Sequence, residues 1–267
     1  MKYFLIIGGT GVMGTSAIQA IREHFDKNIV IIANWYGKEI PEFQIEGADH
    51  TIFGDINNSQ CREKIKAYNN GNFEYMFYAT ALGDVGIPIK DATQEQINRS
   101  NNLSFDPIPS LEDELEIGTI VAYSTFYTIR HQLSTYGAMG HSKETIEKWV
   151  LESGSSKHAC IRAGLFESAS SRGIKLLLRK TSKNLENLKD PLLRSYFENT
   201  PSSEGIKKFE EGIFSEEKEA YGDCRTKKDD LYKAHLELFK SKNPVFINVC
   251  GKKIWLNDEP LLLEKYI

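Results

Sequence analysis

The chain has 267 residues, which is enough for one large α/β domain or two small ones. Its 33 Lys and Arg residues against 37 Asp and Glu residues give a net charge of −4 without a basic block, so we expect neither nucleic acid nor a membrane surface as a partner. Its four cysteines form no Cys-x-x-Cys pair, which argues against a disulfide framework or a zinc site, and we expect no metal.

The first apolar run, Tyr3–Ile7, resembles the start of a signal peptide but ends at a glycine pair. A secretory apolar region needs about 7 to 15 residues and a small-residue cleavage site. No other run approaches the roughly 18 apolar residues of a membrane span. We therefore expect a cytoplasmic protein.

Short apolar runs alternate with longer helical patterns through the first two thirds of the chain, which is typical of repeated β-α-β units and a parallel sheet. The pattern predicts seven strands, at Tyr3–Ile7, Asn28–Ala33, His50–Phe53, Tyr75–Ala79, Thr119–Ser124, His158–Arg162 and Val245–Val249. It predicts helices at Val12–Phe25, Ser59–Tyr68, Ser134–Ser153 and Asp229–Lys240. We expect one doubly wound α/β domain over residues 1–267, with a seven-stranded parallel sheet and helices on both faces.

The pattern changes after Gly164 to charged segments that contain leucine, such as the run from Ile174 to Lys180. This segment precedes the last predicted strand, near the edge where open α/β sheets bind ligands. Residues 165–228 are therefore interpreted as a helical lid over the substrate, and a solvated surface excursion is the alternative. Leucines 176, 177 and 178 and Phe214 suggest an apolar substrate or a subunit interface.

A glycine-rich turn follows the first predicted strand and opens a predicted helix; it reads Gly8-Gly9-Thr10-Gly11-Val12-Met13-Gly14. Glycine adopts positive φ in a tight turn and lets the backbone come close to a pyrophosphate, while the amide groups at the helix start attract its charge. Flanked by a strand and a helix, this spacing is the phosphate turn of a Rossmann fold. The sequence thus predicts that a nicotinamide dinucleotide binds at Gly8, Thr10, Gly11, Val12, Met13 and Gly14.

The residues after the second strand bear on the choice between NADH and NADPH. NAD-binding turns place an acid there for the ribose 2′-hydroxyl, but the chain reads Asn34-Trp35-Tyr36-Gly37-Lys38. Lys38 suits the 2′-phosphate of NADPH, and Asn34 is a further candidate contact, so NADPH is favoured slightly over NADH. After the third strand come Asp55 and Ile56, and Asp55 either accepts a hydrogen bond from adenine or caps the next helix.

Ser124 ends a predicted strand, and Tyr136 and Lys143 follow within Tyr136-Gly137-Ala138-Met139-Gly140-His141-Ser142-Lys143. This pattern resembles the short-chain dehydrogenase/reductase family. Most members place the catalytic tyrosine four residues before the lysine, where this chain has Met139. The Tyr-x6-Lys spacing is similar to the divergent branch that contains the enoyl-acyl-carrier-protein reductases.

Positions i and i+7 lie about 20° apart around a helix and roughly 10 Å apart along it, so Tyr136 and Lys143 would share one face. In an enoyl thioester the hydride goes to C3 while charge develops on the thioester oxygen, and a displaced tyrosine would meet that oxygen. By resemblance, Lys143 binds the nicotinamide ribose and favours ionisation of Tyr136. Tyr127 lies one residue from the position of that branch's second tyrosine, and Ser124 supplies the hydroxyl of the more usual members or only ends its strand.

Two further segments are similar to cofactor contacts of the family. Ala79, Thr80 and Ala81 stand where the family has its Asn-Asn-Ala-Gly strand end, and Gly164, Leu165 and Phe166 stand where its backbone meets the carboxamide. His131 and His141 flank Tyr136 and are either proton shuttles or structural residues.

The resemblance implies an NAD(P)H-dependent reductase that acts on the C=C bond of an acyl thioester or a related activated alkene. A carbonyl or hydroxyl oxidoreductase and a non-catalytic NADP(H) sensor are the alternatives. The resemblance also implies a homodimer or a homotetramer.

Overall fold

The computed structural model describes residues 1–152 and 154–267. Its strands are β1 (Lys2–Ile7), β2 (Ile29–Trp35), β3 (His50–Phe53), β4 (Asn72–Tyr78), β5 (Glu116–Thr125), β6 (Lys157–Ala163), β7 (Phe246–Cys250) and β8 (Lys253–Asn257). They form one sheet in the order β3-β2-β1-β4-β5-β6-β7-β8. From β1 the next strands in the chain lie on one side, β2 and then β3, and β4 and the later strands lie on the other side. Doubly wound sheets have a ligand crevice at such a point, at the carboxyl ends of their strands.

The prediction of seven parallel strands was wrong by one strand. The seven predicted strands are present and parallel, but β8 pairs with β7 in the antiparallel sense, with Cys250 opposite Lys253. Gly251 turns the chain between them at φ +55°, a conformation that costs glycine little. This hairpin adds an edge strand after the last strand that the apolar pattern predicts.

The helices are α1 (Val12–His24), α2 (Ser59–Lys66), α3 (Gln94–Ser104), α4 (Pro107–Glu114), α5 (Arg130–Leu133), α6 (Gly137–Val150), α7 (Ala169–Thr181), α8 (Pro191–Ser195), α9 (Ser202–Tyr221) and α10 (Lys228–Lys240). Helices α3 and α4 were not predicted from the sequence. Among the described residues, no helix has the length and apolar character needed to cross a membrane.

The sheet is buried on both faces, as its unbroken apolar strands predict. On one face, Ile21 of α1 and Leu231 of α10 pack against Ile31 of β2. On the other face, Ile65 of α2, with Leu111 of α4 and Trp149 of α6, packs in the same cluster as Ile32. The alternation of Ile31 and Ile32 along β2 thus serves two separate cores and fixes the strand register.

The start of α6 differs from the prediction of one helix from Ser134 to Ser153. Tyr136 is the residue before the helix. Gly137 has φ +47°, and a side chain there would also collide with the carbonyl oxygen of Asp84. The helix begins only at Gly137, so the argument that placed Tyr136 and Lys143 on one helical face does not apply. Its predicted end, Ser153, lies outside the described residues.

Residues 165–228 contain α7, α8 and α9, in agreement with the predicted helical segment. Leu178, Phe197 and Phe209 form a small core of their own there, which extends to Phe126 after β5 and Cys250 in β7. The segment is therefore packed over the carboxyl ends of β5 and β7.

Candidate functional site

The glycine turn between β1 and α1 has the conformation that the sequence predicts. Gly8 has φ +83°, and a Cβ atom there would lie 2.9 Å from the backbone carbon of Ala79. A side chain on Gly14 would meet the Gly8 carbonyl oxygen and would lie 2.8 Å from Cα of Gly9. The turn is therefore closed against β4 and against the first turn of α1, and only glycine fits at both positions.

The start of α1 is open to an anion. Thr10 and Gly11 are exposed, no side chain caps the helix, and its first turn contains no acidic residue. Val12 and Met13 are its first two residues, so their amide groups have no acceptor within the helix. These amides and the helix dipole attract a phosphate group, so the residues present suit a dinucleotide pyrophosphate.

Asn34 does not have the free side chain expected of a cofactor contact. It is 3% exposed, and its Nδ2 atom donates to the carbonyl oxygens of Ile52 at 3.2 Å and Gly54 at 3.0 Å. Its own carbonyl oxygen accepts the amide hydrogens of Gly8 and Gly9. The side chain of Asn34 thus joins β2 to the end of β3 and does not reach the cleft. The backbone oxygen of Asn34 binds the glycine turn.

Tyr36 and Lys38 follow β2 and are exposed to solvent. The first carboxylate after β2 is that of Glu39. Tyr36 packs beside Phe53 with ring centroids 6.1 Å apart. Asp55 is half-buried and accepts from the amide of Asn57 at 2.9 Å, while Asn58 caps α2. Of the two roles predicted for Asp55, helix capping belongs to Asn58 instead.

The side chain of Ile56 is 2% exposed and packs in the core, so only its backbone remains available to a cofactor. Ala79, Thr80 and Ala81 are partly exposed and follow β4 directly beside Gly8. The structure therefore brings the strand end and the phosphate turn together at the same edge of the sheet.

Lys143 is buried in the middle of α6, and its Nζ atom donates to the carbonyl oxygen of Tyr123 at 2.9 Å. Burial lowers the pKa of Lys143 to about 8, although the nearby Cys160 and Glu147 act in the opposite direction. The ammonium group thus lies between β5 and α6.

Ser124 is bound to a buried ion pair that the sequence analysis did not find. Its Oγ atom donates to Glu147 Oε1 at 2.5 Å. The same carboxylate accepts Arg162 Nε at 2.9 Å and Nη2 at 2.6 Å, and Glu147 and Arg162 are at most 2% exposed. The signals for it were an arginine inside an otherwise apolar strand and a glutamate one turn after Lys143. As a result, the hydroxyl hydrogen of Ser124 points to Glu147 and not to the cleft.

Tyr136 packs beside Ile89, Tyr127 and Leu263, and burial raises the pKa of its hydroxyl to about 12. Met139 occupies the position four residues before Lys143, is 6% exposed, and lies against Gly83. At this position the chain therefore has a thioether, which does not donate a proton.

Tyr127 is fully buried, and its hydroxyl donates to the carbonyl oxygen of Leu261. Leu261 belongs to the C-terminal segment, residues 258–267, which follows β8. Burial also raises the pKa of the Tyr127 hydroxyl far above its usual value. Its position fixes the C-terminal segment against the domain and gives no support to the catalytic role predicted for it.

Gly164, Leu165 and Phe166 follow β6, and Gly164 is buried. The amide of Leu165 donates to Glu217 Oε1 at 2.5 Å, and Glu217 itself is 1% exposed. Burial raises the pKa of Glu217 to about 7. This carboxyl group from α9, which the sequence analysis missed, holds the loop predicted to meet the carboxamide.

Neither a protein-family model nor a curated protein matches the chain. Its fold is similar to that of a short chain dehydrogenase/reductase from Saccharomyces cerevisiae, with a TM-score of 0.59, 15% identity, and coverage of 93% of this chain and 96% of the other. A short chain dehydrogenase family protein from Francisella tularensis also has a TM-score of 0.59, with 17% identity and coverage of 94% and 98%.

A small-chain dehydrogenase in complex with NADPH has a TM-score of 0.55 and 12% identity, with coverage of 94% of this chain and 97% of the other. At such low identities the likeness concerns the fold alone. The chain therefore shares the α/β fold of the short-chain dehydrogenases/reductases over nearly its whole length.

Proposed function

We propose that the chain binds NADPH or NADH and catalyses a short-chain oxidoreductase reaction on a small molecule. The open start of α1 beside the closed glycine turn carries this proposal, because it combines an anion site with a backbone that only glycine can form. The cofactor would supply the hydride, and the phosphate contacts come from the backbone of Thr10 to Gly14.

NADPH is the favoured cofactor in this proposal. The position directly after β2, where NAD-binding turns have an acid, holds Tyr36, and the first carboxylate is that of Glu39, while Lys38 is exposed. A lysine at this place attracts a 2′-phosphate, and its charge contributes little to NADH binding.

The remaining cofactor contacts are assigned by the position of each residue. Ala79 to Ala81 border the phosphate turn, and Gly164 to Phe166 border the crevice at the end of β6. Lys143, as a buried cation beneath β5, is proposed to hold the nicotinamide ribose. Residues 165–228 are proposed to close over the substrate, since α7 brings Leu177 close to Gly86 after β4.

The substrate proposed first is an enoyl thioester or a related activated alkene. This proposal depends on the Tyr-x6-Lys pattern, and a carbonyl or hydroxyl oxidoreductase is consistent with the same fold. Tyr136 carries its proton at neutral pH, with a pKa that burial raises to about 12, so it can act as a donor in either reaction. Assembly into a dimer or tetramer is part of the proposal and is measured by light scattering.

A second candidate function is a dinucleotide sensor without turnover. Two observations favour it: Met139 replaces the usual donor, and the hydroxyl of Ser124 is bound to Glu147. Such a protein would bind NADPH and change its interactions with the redox state of the cofactor.

The test combines binding and turnover. NADPH and NADH are titrated by fluorescence, and crotonyl thioester and acetoacetyl thioester are then supplied anaerobically with NADPH. Oxidation of NADPH by the crotonyl thioester supports the first proposal, and oxidation by the acetoacetyl thioester alone supports the carbonyl reaction. Tight NADPH binding without turnover over a broad substrate panel supports the sensor, and the absence of binding contradicts all three.

A further inference from the structure

A row of three ionisable side chains joins α5 to the segment of α8 and α9. Glu216 Oε2 lies 2.7 Å from His131 Nδ1, and His131 Nε2 lies 2.7 Å from the hydroxyl oxygen of Tyr196. The backbone amide of His131 also donates to Glu216 Oε2 at 3.1 Å. His131 Nε2 is thus hydrogen-bonded to the tyrosine hydroxyl, while Nδ1 lies in close contact with the Glu216 carboxylate without the alignment of a hydrogen bond. A carboxylate beside one nitrogen of an imidazole and a hydroxyl on the other are the groups that make up a proton relay.

The contact between His131 and Tyr196 has room because α9 contains a glycine, which lowers the stability of that helix. Gly212 lies in the middle of α9, where glycine is about 1 kcal/mol less favourable than alanine. A Cβ atom on Gly212 would collide with His131 Nε2 and would lie 2.7 Å from the Tyr196 hydroxyl. A glycine at this point of the helix is thus needed for the contact between His131 and Tyr196.

Burial along the row decreases from its centre to its ends. The His131 side chain is 7% exposed, the Glu216 side chain is 25% exposed, and Tyr196 is partly exposed. Burial raises the pKa of Glu216, but its contacts with the side chain and backbone amide of His131, together with the charge of Arg130, outweigh burial and hold that pKa below its ordinary value. Glu216 is therefore an anion at neutral pH.

The row belongs to the part of the fold that covers the carboxyl ends of the strands, where the substrate crevice is proposed. Helix α5 begins five residues after β5 ends, and α8 and α9 belong to the segment that covers the carboxyl ends of the strands. Ligands of open α/β sheets bind at this end. The usual donors are lacking there, because Met139 has no exchangeable proton and Ser124 is bound to Glu147.

We propose that Tyr196, in place of Tyr136, is the catalytic proton donor and that Glu216 and His131 recharge it, an inference that depends on the proposed oxidoreductase function. The bound cofactor would supply a hydride to the electrophilic carbon of the substrate, and the electron pair of the substrate's double bond would move toward the oxygen. That oxygen takes the hydroxyl proton of Tyr196, and Tyr196 takes the Nε2 proton of the His131 imidazolium. The neutral imidazole regains a proton from water, and Glu216 stabilises its charged form, so protons and electrons balance.

The pH dependence involves the charged groups around the row. Arg130 of α5 lies near Glu216 and Tyr196, where it favours the anionic form of both. Glu216 lies on α9, and Tyr196 follows α8. We expect the pH profile of kcat to change when the carboxylate of Glu216 is removed.

The experiment compares Tyr196→Phe, His131→Gln and Glu216→Gln with Tyr266→Phe, an exposed tyrosine near the C-terminus that serves as the matched control. With the substrate found for the wild type, we expect Tyr196→Phe to lower kcat about 100-fold or more and to leave the NADPH Kd within about twofold. His131→Gln should lower kcat, Glu216→Gln should change the pH profile of kcat, and Tyr266→Phe should leave kcat and the NADPH Kd unchanged. Thermal unfolding verifies that each variant is folded.

A measurement that does not depend on turnover accompanies the kinetics. In ¹⁵N spectra, the Nε2 resonance of His131 should shift in Tyr196→Phe and stay unchanged in Tyr266→Phe. If folded Tyr196→Phe keeps wild-type kcat, the relay is wrong while the proposed function stands. If the wild type binds NADPH but transfers hydride to no substrate of the panel, the oxidoreductase function is wrong, and the relay is wrong with it.

Discussion

Glu147 of α6 binds Arg162 of β6 through two parallel hydrogen bonds, of 2.9 Å to Nε and 2.6 Å to Nη2, in a place that water does not reach. The carboxylate also accepts the amide of Leu261 at 2.8 Å, and Asn248 accepts Arg162 Nη1 at 2.8 Å. The pair therefore joins a central helix, the sheet and the C-terminal segment. Because both charges are desolvated, each depends on its partner.

Glu147→Gln should destabilise the protein by about 3 to 5 kcal/mol, because it leaves the guanidinium buried without a counter-charge. Urea unfolding measures the change. Glu74→Gln is the matched control, since Glu74 pairs with Lys2 at the surface and should contribute less than about 1 kcal/mol. The double variant Glu147→Leu with Arg162→Met should recover much of the loss, and equal losses in Glu147→Gln and Glu74→Gln would contradict this account.

Gly14→Ala should weaken NADPH binding at least tenfold, because the new methyl group collides with the Gly8 carbonyl and moves the phosphate turn. A tenfold loss corresponds to about 1.4 kcal/mol of binding free energy. Fluorescence titration measures it. Gly173→Ala in α7 is the control: nothing lies within 4 Å of the added atom, so NADPH binding should be unchanged. That control should also gain about 0.5 to 1 kcal/mol of stability, since alanine favours helix.

Lys38→Ala should reduce the affinity for NADPH about fivefold and leave the affinity for NADH unchanged, because only NADPH carries the 2′-phosphate. A fivefold change corresponds to about 1 kcal/mol, which suits an exposed charge contact. Raising the salt concentration should reduce the difference between the variant and the wild type. Lys90→Ala, which removes an exposed lysine outside the phosphate turn, is the control. If Lys38→Ala lowers the affinity for NADPH and NADH equally, Lys38 does not bind the 2′-phosphate.

The strands and the phosphate turn were predictable because local patterns encode them. Strands buried on both faces give unbroken apolar runs. The spacing of Gly8, Gly11 and Gly14 indicates a tight turn between a strand and a helix. Helix α3 escaped prediction because it packs small polar residues, Ser100 and Ser104, and not an apolar stripe. Its capping box, Thr93 with Gln96, was the available signal.

The surroundings of the candidate site were less predictable, since they depend on contacts between distant parts of the chain. The bond of Ser124 to Glu147 joins a strand to a helix 23 residues away, and no spacing rule gives it. The turn at Gly137 depends on the approach of Asp84, so the helical position expected of Tyr136 failed for a tertiary reason. Strand β8 was missed because it lies at the sheet edge, where its short apolar stretch is only partly buried and gives no long apolar run.

The low pKa of Lys143 gives a prediction for the dependence of turnover on pH. Burial lowers that pKa to about 8, so the ammonium proposed to hold the ribose is present below pH 8 and is lost above it. We expect kcat at saturating NADPH to fall above about pH 8 with the loss of one proton. Lys143→Arg, whose side chain stays charged, should remove this decline if it retains turnover.

The same group should affect stability in the opposite direction. Between about pH 8 and the ordinary value of 10.5, the unfolded chain holds a proton on Lys143 that the folded chain has lost. Stability from this group therefore rises with pH across that window, by up to about 1.4 kcal/mol per pH unit. Comparing urea unfolding of the wild type and Lys143→Met at several values of pH isolates this contribution, with Cys160 and Glu147 unchanged in both proteins. If the two proteins show the same slope, Lys143 remains charged in the folded state, and the decline of kcat above pH 8 must come from another group.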